Sequence, residues 1–235
     1  MTLRFKKSTN VAEVGKVRAW CDVAFIDCPE TLRLTGGHVV TFNGNPVSHE
    51  SKRQPLVTLS TAEAEYVEAC RCTTEVLFVR DIAQDLGYVL NGPSVIFEDN
   101  TACISIANNT TGDRKRTKHI AKHYHFTREQ IVVGTILLKH VRTSLQIADI
   151  FTKQLYPEHY ARIARVLLGH QDFEQLVATV DSVTASGDNV DGPTLFASNT
   201  RSFFRQAFSG FSSSSEVTDG QFSQWFDQSY YSVEL

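Results

Sequence analysis

Between Gly36 and Ser51 the chain reads strand, turn, strand. Gly36-Gly37-His38-Val39-Val40-Thr41-Phe42 is rich in residues that suit a pleated sheet, Asn43-Gly44-Asn45 follows, and Pro46 to Ser51 returns. Asn and Gly tolerate the positive φ that a tight hairpin turn demands, so two antiparallel neighbours are set here. Val17 to Ala24 alternates as a strand would and ends near Asp22. Downstream the period changes. Thr58-Leu59-Ser60-Thr61 offers hydroxyl caps, an imperfect apolar stripe (Ala62, Tyr66, Ala69, Cys70, Thr73, Leu77, Ile82) runs through a helix from Ala62 to Leu86, and Gly87 stops it. Ser94 to Asp99 is a short buried-type strand closing on an acid. Helices follow over Thr101–Ala107 and His119–Val132, then a strand over Thr135–Val141, a helix over Ser144–Leu155 capped by Ser144, and an amphipathic helix over Pro157–Leu168. The order β-β-β-α-β-α-α-β-α, with the Pro157–Leu168 helix after it, predicts a mixed sheet flanked by helices: antiparallel hairpins first, then crossovers that make the later strands parallel.

A chain of 235 residues suits one ordinary domain with an appendage, or two small ones. With 42% hydrophobic and 21% charged residues, wholesale disorder and coiled coil are excluded. No apolar run approaches the ~20 residues that span a bilayer, so no membrane partner is expected. Met1 to Lys7 lacks the apolar core of a secretory signal. Cys21, Cys28, Cys70, Cys72 and Cys103 are an odd, unclustered set, and Cys70-Arg71-Cys72 is too tight for zinc, so free thiols in a reducing compartment are expected. The formal charge of -3 hides an asymmetry: from Gln171 to Leu235 nine acidic residues face two basic ones, while the preceding body is mildly basic. That tail is Ser-rich at Ser212 to Ser215 and sprinkled with aromatics such as Phe203, Phe204, Trp225 and Tyr230. A disordered extension and an arm whose aromatics dock on a partner are both compatible with it.

The acids fall where the topology would place a site. Asp22 closes the first strand and Asp99 the fourth; Glu65 lies in the first turn of the long helix and Asp149 in a later one. Ligands of open α/β sheets gather beyond the carboxyl ends of parallel strands. Clustered carboxylates repel unless a cation neutralises them or one holds a proton. A shallow acidic cluster suits Mg²⁺, a hard ion that takes oxygen ligands, and two such ions can promote phosphodiester cleavage.

Several stretches carry a specific resemblance: Asn45-Pro46-Val47-Ser48, Ser51-Lys52-Arg53-Gln54, Leu59-Ser60-Thr61-Ala62-Glu63-Ala64-Glu65-Tyr66, Glu98-Asp99-Asn100-Thr101-Ala102, Arg116-Thr117-Lys118-His119-Ile120 and Gln146-Ile147-Ala148-Asp149-Ile150-Phe151-Thr152-Lys153. In order and spacing, over about residues 1–170, they resemble the ribonuclease H domain of copia-type LTR retrotransposon Pol polyproteins. The resemblance implies an α/β, ribonuclease H-like fold: a mixed five-stranded sheet flanked by helices over 1–155, with a C-terminal helix over 156–170. Composition sets apart 171–235, an acidic, Ser- and Phe-rich tail expected to be disordered. It also implies an Mg²⁺-dependent endonuclease that hydrolyses the RNA strand of RNA–DNA hybrids during reverse transcription. Asp22, Glu65, Asp99 and Asp149 match the family's catalytic, metal-binding acids. Glu63 competes with Glu65; two residues along a helix is about 200°, so both cannot face the metal equally. Two Mg²⁺ ions, replaceable by Mn²⁺, are implied, with Asp22 bridging them, Glu65 and Asp99 completing one site and Asp149 the other. Water would attack the phosphate in line, leaving a 3′-hydroxyl and a 5′-phosphate. The implied partners are an RNA–DNA hybrid, reverse transcriptase and other retrotransposon proteins; the implied location is intracellular, in a cytoplasmic virus-like particle or the nucleus.

The chain departs from the family at strand one, where Asp22-Val23-Ala24-Phe25 replaces the usual Asp-Ala-Asp-Trp. That hints at drift in a decaying or domesticated copy, and the missing reverse transcriptase, integrase and protease suggest a fragment. A catalytically lapsed module that binds nucleic acid or tethers a protein is the alternative reading. From Thr111 to Arg142, eight Lys or Arg residues face two acids. Arg114, Lys115, Arg116, Lys118, His119, Lys122 and Arg142 are therefore expected to contact the phosphates of the hybrid. His119 and His123 are four apart but lack a convincing third ligand for zinc. Cellular ribonucleases H carry a mobile histidine near their last aspartate; the matching loop here, Val141 to Gln146, has none.

Overall fold

The computed structural model describes residues 3–7, 14–24, 33–55, 57–58, 60–90, 92–108 and 121–177, with backbone alone at 121–125. These lie within one compact unit, Met1–Gly192; a second unit, Pro193–Leu235, lies outside the described residues. The tail beyond residue 177, including its Ser and aromatic residues, is likewise outside them.

The expected mixed five-stranded sheet flanked by helices is present. Its strands are β1 (Val17–Val23), β2 (Thr35–Phe42), β3 (Asn45–Arg53), β4 (Ser94–Glu98) and β5 (Ile136–His140), in the order β3-β2-β1-β4-β5. β1, β2 and β3 pair antiparallel, whereas β4 runs parallel to β1, and β5 to β4. The hairpin turn forms as the residues dictate: Asn43 and Gly44 both take positive φ, 52° and 77°.

Period-two alternation gives the sheet two apolar faces. Val17, Ala19, Cys21, Val40 and Ile96 point to one face, where Tyr66, Val67, Ala69, Cys72 and Val76 of α1 (Thr61–Asp85) meet Cys103 and Ala107 of α2 (Thr101–Asn108). Ile131 of α3 (Ala121–Val133) packs on that side too. Trp20 and Val39 point the other way, onto Leu145, Ile147, Ala148 and Ile163, the last from α4 (Pro157–Leu167). The packing continues past residue 170: Phe173 lies against Trp20 with ring centroids 5.0 Å apart, and Leu176 is buried.

Two local expectations are corrected. The helix expected over Ser144–Leu155 is instead two short 3-10 turns, Thr143–Leu145 and Ile147–Phe151. Gln146 separates them in extended conformation, because its amide is drawn inward to donate to the Cys21 carbonyl oxygen at 2.8 Å. On α1 the buried stripe turns away from Ile82, which is exposed, and runs through Cys72, Val76 and Ala83, the i, i+4, i+11 row of one helical face.

Candidate active site

The β1–β4 register creates the site. Trp20 pairs with Phe97, so Asp22 and Asp99, each two residues further on, come level where the parallel strands end. The third carboxylate comes from α1. Ser60 caps that helix, accepting from the Glu63 backbone N–H at 3.3 Å. Gln54 pins the same turn, its amide donating to the Ala64 carbonyl oxygen at 2.9 Å. Glu65 is thereby turned inward: one oxygen each of Asp22, Glu65 and Asp99 lie within 4.8 Å of one another. Glu63 is buried but stands outside this group.

Asp149 arrives on the second 3-10 turn, which is clamped to the sheet. Ser51 donates its hydroxyl to the Phe151 carbonyl oxygen at 2.6 Å. Gly37, the register partner of Asp22, leaves room for the turn; a Cβ there would sit 2.7 Å from Phe151 Cβ and 2.8 Å from Thr152 Cγ2. Asp149 meets Asp22 through a lysine. Lys153 Nζ donates to Asp22 Oδ1 and to Asp149 Oδ1, each at 2.8 Å. The Thr152 hydroxyl donates to the other Asp22 oxygen.

Besides Thr152, three residues that touch these acids or act on them electrostatically escaped the sequence reading. Glu98 is fully buried, accepting from the Asn100 backbone N–H at 3.0 Å and the Cys21 thiol at 3.3 Å. Thr143 donates its hydroxyl to Asp99 at 2.9 Å. Lys153 is the third. Position held a usable signal for two of them: Glu98 shares its strand face with core residue Ile96, and Lys153 lies four residues after Asp149.

Burial and mutual repulsion hold protons on this cluster. Burial first, then the charges of Glu98, Asp22 and Asp99, push Glu65 up to about 11. Burial raises Glu98 to about 8, against the bonds it accepts from Asn100 and Cys21. Burial and Asp22 raise Asp149 to about 7, while Lys153 pulls it down. Lys153 itself is held charged by Asp22 and Asp149, which outweigh its own burial. One Glu65 oxygen, Oε2, is buried without a hydrogen-bond partner among the described residues. An orphaned carboxylate oxygen beside two more carboxylates is a donor set fitted to a hard divalent cation such as Mg²⁺.

Of the residues expected to contact phosphates, Arg142 is exposed, one residue before Thr143. Arg114, Lys115, Arg116, Lys118 and His119 lie outside the described residues; Lys122 and His123 are in α3, but their side chains are outside them. Cys21, Cys70, Cys72 and Cys103 are free and buried; Cys28 lies outside the described residues. No helix among the described residues is long and apolar enough to cross a membrane.

Over 139 residues, 59% of its length, the chain is 36% identical to the retrovirus-related Pol polyprotein from transposon RE2 of Arabidopsis thaliana. It matches the corresponding polyprotein from transposon RE1 equally well, and that from transposon TNT 1-94 of Nicotiana tabacum at 32% over 140 residues. Its homologues are retrotransposon Pol polyproteins. The chain spans about 10% of the length of these curated relatives. No family model matches it. Among solved structures, LC11-RNase H1 in complex with RNA/DNA hybrid aligns with a TM-score of 0.44 at 15% identity, covering 58% of this chain and 94% of that one. The N-terminal RNase H domain of Rv2228c from Mycobacterium tuberculosis, a maltose-binding-protein fusion, aligns at 0.40 and 14%, covering 64% and 96%.

Proposed function

We propose that the chain is the ribonuclease H domain of a copia-type Pol polyprotein, cutting the RNA strand of RNA–DNA hybrids with the help of divalent metal. One observation carries the reading: oxygens of Asp22, Glu65 and Asp99 converge within 4.8 Å, beside an unpartnered buried oxygen of Glu65. The kinship with retrotransposon Pol polyproteins supports a role in reverse transcription, with reverse transcriptase and other element proteins as partners inside the cell. The nuclease domain is assigned to residues 1–155, with the helix of 156–170 and the segment through Leu176 packed on it and the rest of 171–235 as an appendage.

Asp22, Glu65 and Asp99 would hold Mg²⁺, or Mn²⁺ in its place. When bound, such an ion polarises a phosphoryl oxygen and eases the deprotonation of water. Thr143 fixes the Asp99 carboxylate through its 2.9 Å hydrogen bond, and Thr152 fixes Asp22 through its own hydroxyl. Glu65, protonated when no metal is present, gives up its proton to become a ligand, so cation binding expels protons. Glu98 stands behind the site, its negative charge restrained by burial. The basic segment before α3, together with Arg142, would grip phosphates. The 2′-hydroxyls and groove shape of the hybrid would set the strand choice.

The test is hydrolysis of an RNA–DNA hybrid labelled on each strand, with wild type and Asp99→Asn. Wild type should cut the RNA strand with Mg²⁺ or Mn²⁺ present and not in chelator. Asp99→Asn should lose the cleavage and keep most of the binding. Undiminished cleavage by Asp99→Asn would defeat the assignment.

A further inference from the structure

A cation already sits inside this acidic cage. Asp22 and Asp149 are almost completely buried, with side chains 1% and 3% exposed, and face one another across Lys153. Two buried carboxyl groups at that range are tolerable when a positive charge lies between them or one holds a proton, and here a positive charge is in place. The ammonium of Lys153 supplies it, equidistant at 2.8 Å from one oxygen of each.

The Lys153 side chain comes from the solvent side and is 35% exposed, so it has a path of withdrawal. The turn that carries it is fixed by Ser51 and by the bare backbone at Gly37. Across the cluster, among the described residues, this ammonium hydrogen-bonds to neither Glu65 nor Asp99: Asp99 is tied to Thr143, and one Glu65 oxygen is without a hydrogen-bond partner. One half of the site is bridged by the ammonium, and the other feels its charge only from a distance.

We infer that Lys153 is a resident cation occupying the Asp22–Asp149 half of the site, so that the free protein loads one divalent ion, at Asp22, Glu65 and Asp99, and admits a second only when Lys153 is displaced. The inference rests on the metal site proposed above and concerns how many ions that site takes. Lys153 is a positioning residue here: it holds two carboxylates in place and keeps their shared position filled against a free divalent ion until a phosphate draws it out.

The test is a Mn²⁺ titration of the full chain without nucleic acid, following the loss of the free-ion signal by electron paramagnetic resonance. Wild type should bind one Mn²⁺. Lys153→Met, which keeps the chain length and removes the charge, should bind two, and Lys153→Arg should restore the count to one. Circular dichroism verifies that each variant is folded, and Lys153→Gln replaces Lys153→Met if the latter is not. Two ions in wild type, a count that needs no variant, would overturn the inference. So would one ion in both wild type and the neutral variants. Absence of binding in every protein would instead sink the metal site on which the inference rests.

Discussion

Glu65, Glu98 and Asp149 are carboxyl groups that the fold forces to keep their protons. For Glu98, raised to about 8, and Asp149, raised to about 7, the folded chain binds the proton more tightly than the unfolded chain does. Their stabilising contribution is therefore full below the ordinary carboxylate range and is lost as pH rises through the folded values. In chelator, the melting temperature should fall between about pH 5 and pH 8, and Glu98→Gln should flatten that fall. Mg²⁺ should oppose it, and more strongly at the upper end, because cation binding releases the protons that high pH has already removed. A metal-free melting temperature constant over this window would count against the buried-acid description. Thr143 acts one step out. Its hydroxyl orients Asp99, and Thr143→Val should weaken divalent-ion binding by roughly 10–100-fold with little change in fold, measurable by calorimetry. Unchanged affinity would mean that Asp99 needs no such anchor.

At the level of elements, the site depends on how closely the Ile147–Phe151 turn can approach β2. Gly37 permits that approach. Gly37→Ala would bring a methyl against Phe151 and Thr152, and should cost about 1–3 kcal/mol in denaturant unfolding while shifting Asp149 and Lys153 away from Asp22. A neutral effect would show that the turn can slide without penalty. The same turn marks the limit of sequence reading. The strands and helices that obey local rules, namely the Asn43-Gly44 hairpin, the Ser60-capped α1 and the Pro157-started α4, were legible from period, cap and turn chemistry. The segment after Ser144 was not, because its conformation is set by Gln146 reaching Cys21, 125 residues earlier in the chain. Nothing local announces such a bond.

For the molecule as a whole, the mixed sheet and the meeting of Asp22, Glu65 and Asp99 could be anticipated, because strand ends and motif order carry that information. The choice between Glu63 and Glu65 needed the helix placed: Ser60 and Gln54 set its rotation, and Glu65 joins the other acids. Glu98 and Lys153 were hidden for a different reason. Each belongs to a quoted motif, but its role arises only when separate elements close on it: Cys21 of β1 on Glu98, and Asp22 of β1 on Lys153. The central claim is that Asp22, Glu65 and Asp99 form a divalent-cation cage, and anomalous X-ray scattering from crystals of the protein soaked in Mn²⁺ tests it most directly. The account predicts a strong anomalous peak bonded to oxygens of all three residues. A peak bound elsewhere, or none at these residues in an otherwise ordered crystal, would contradict it.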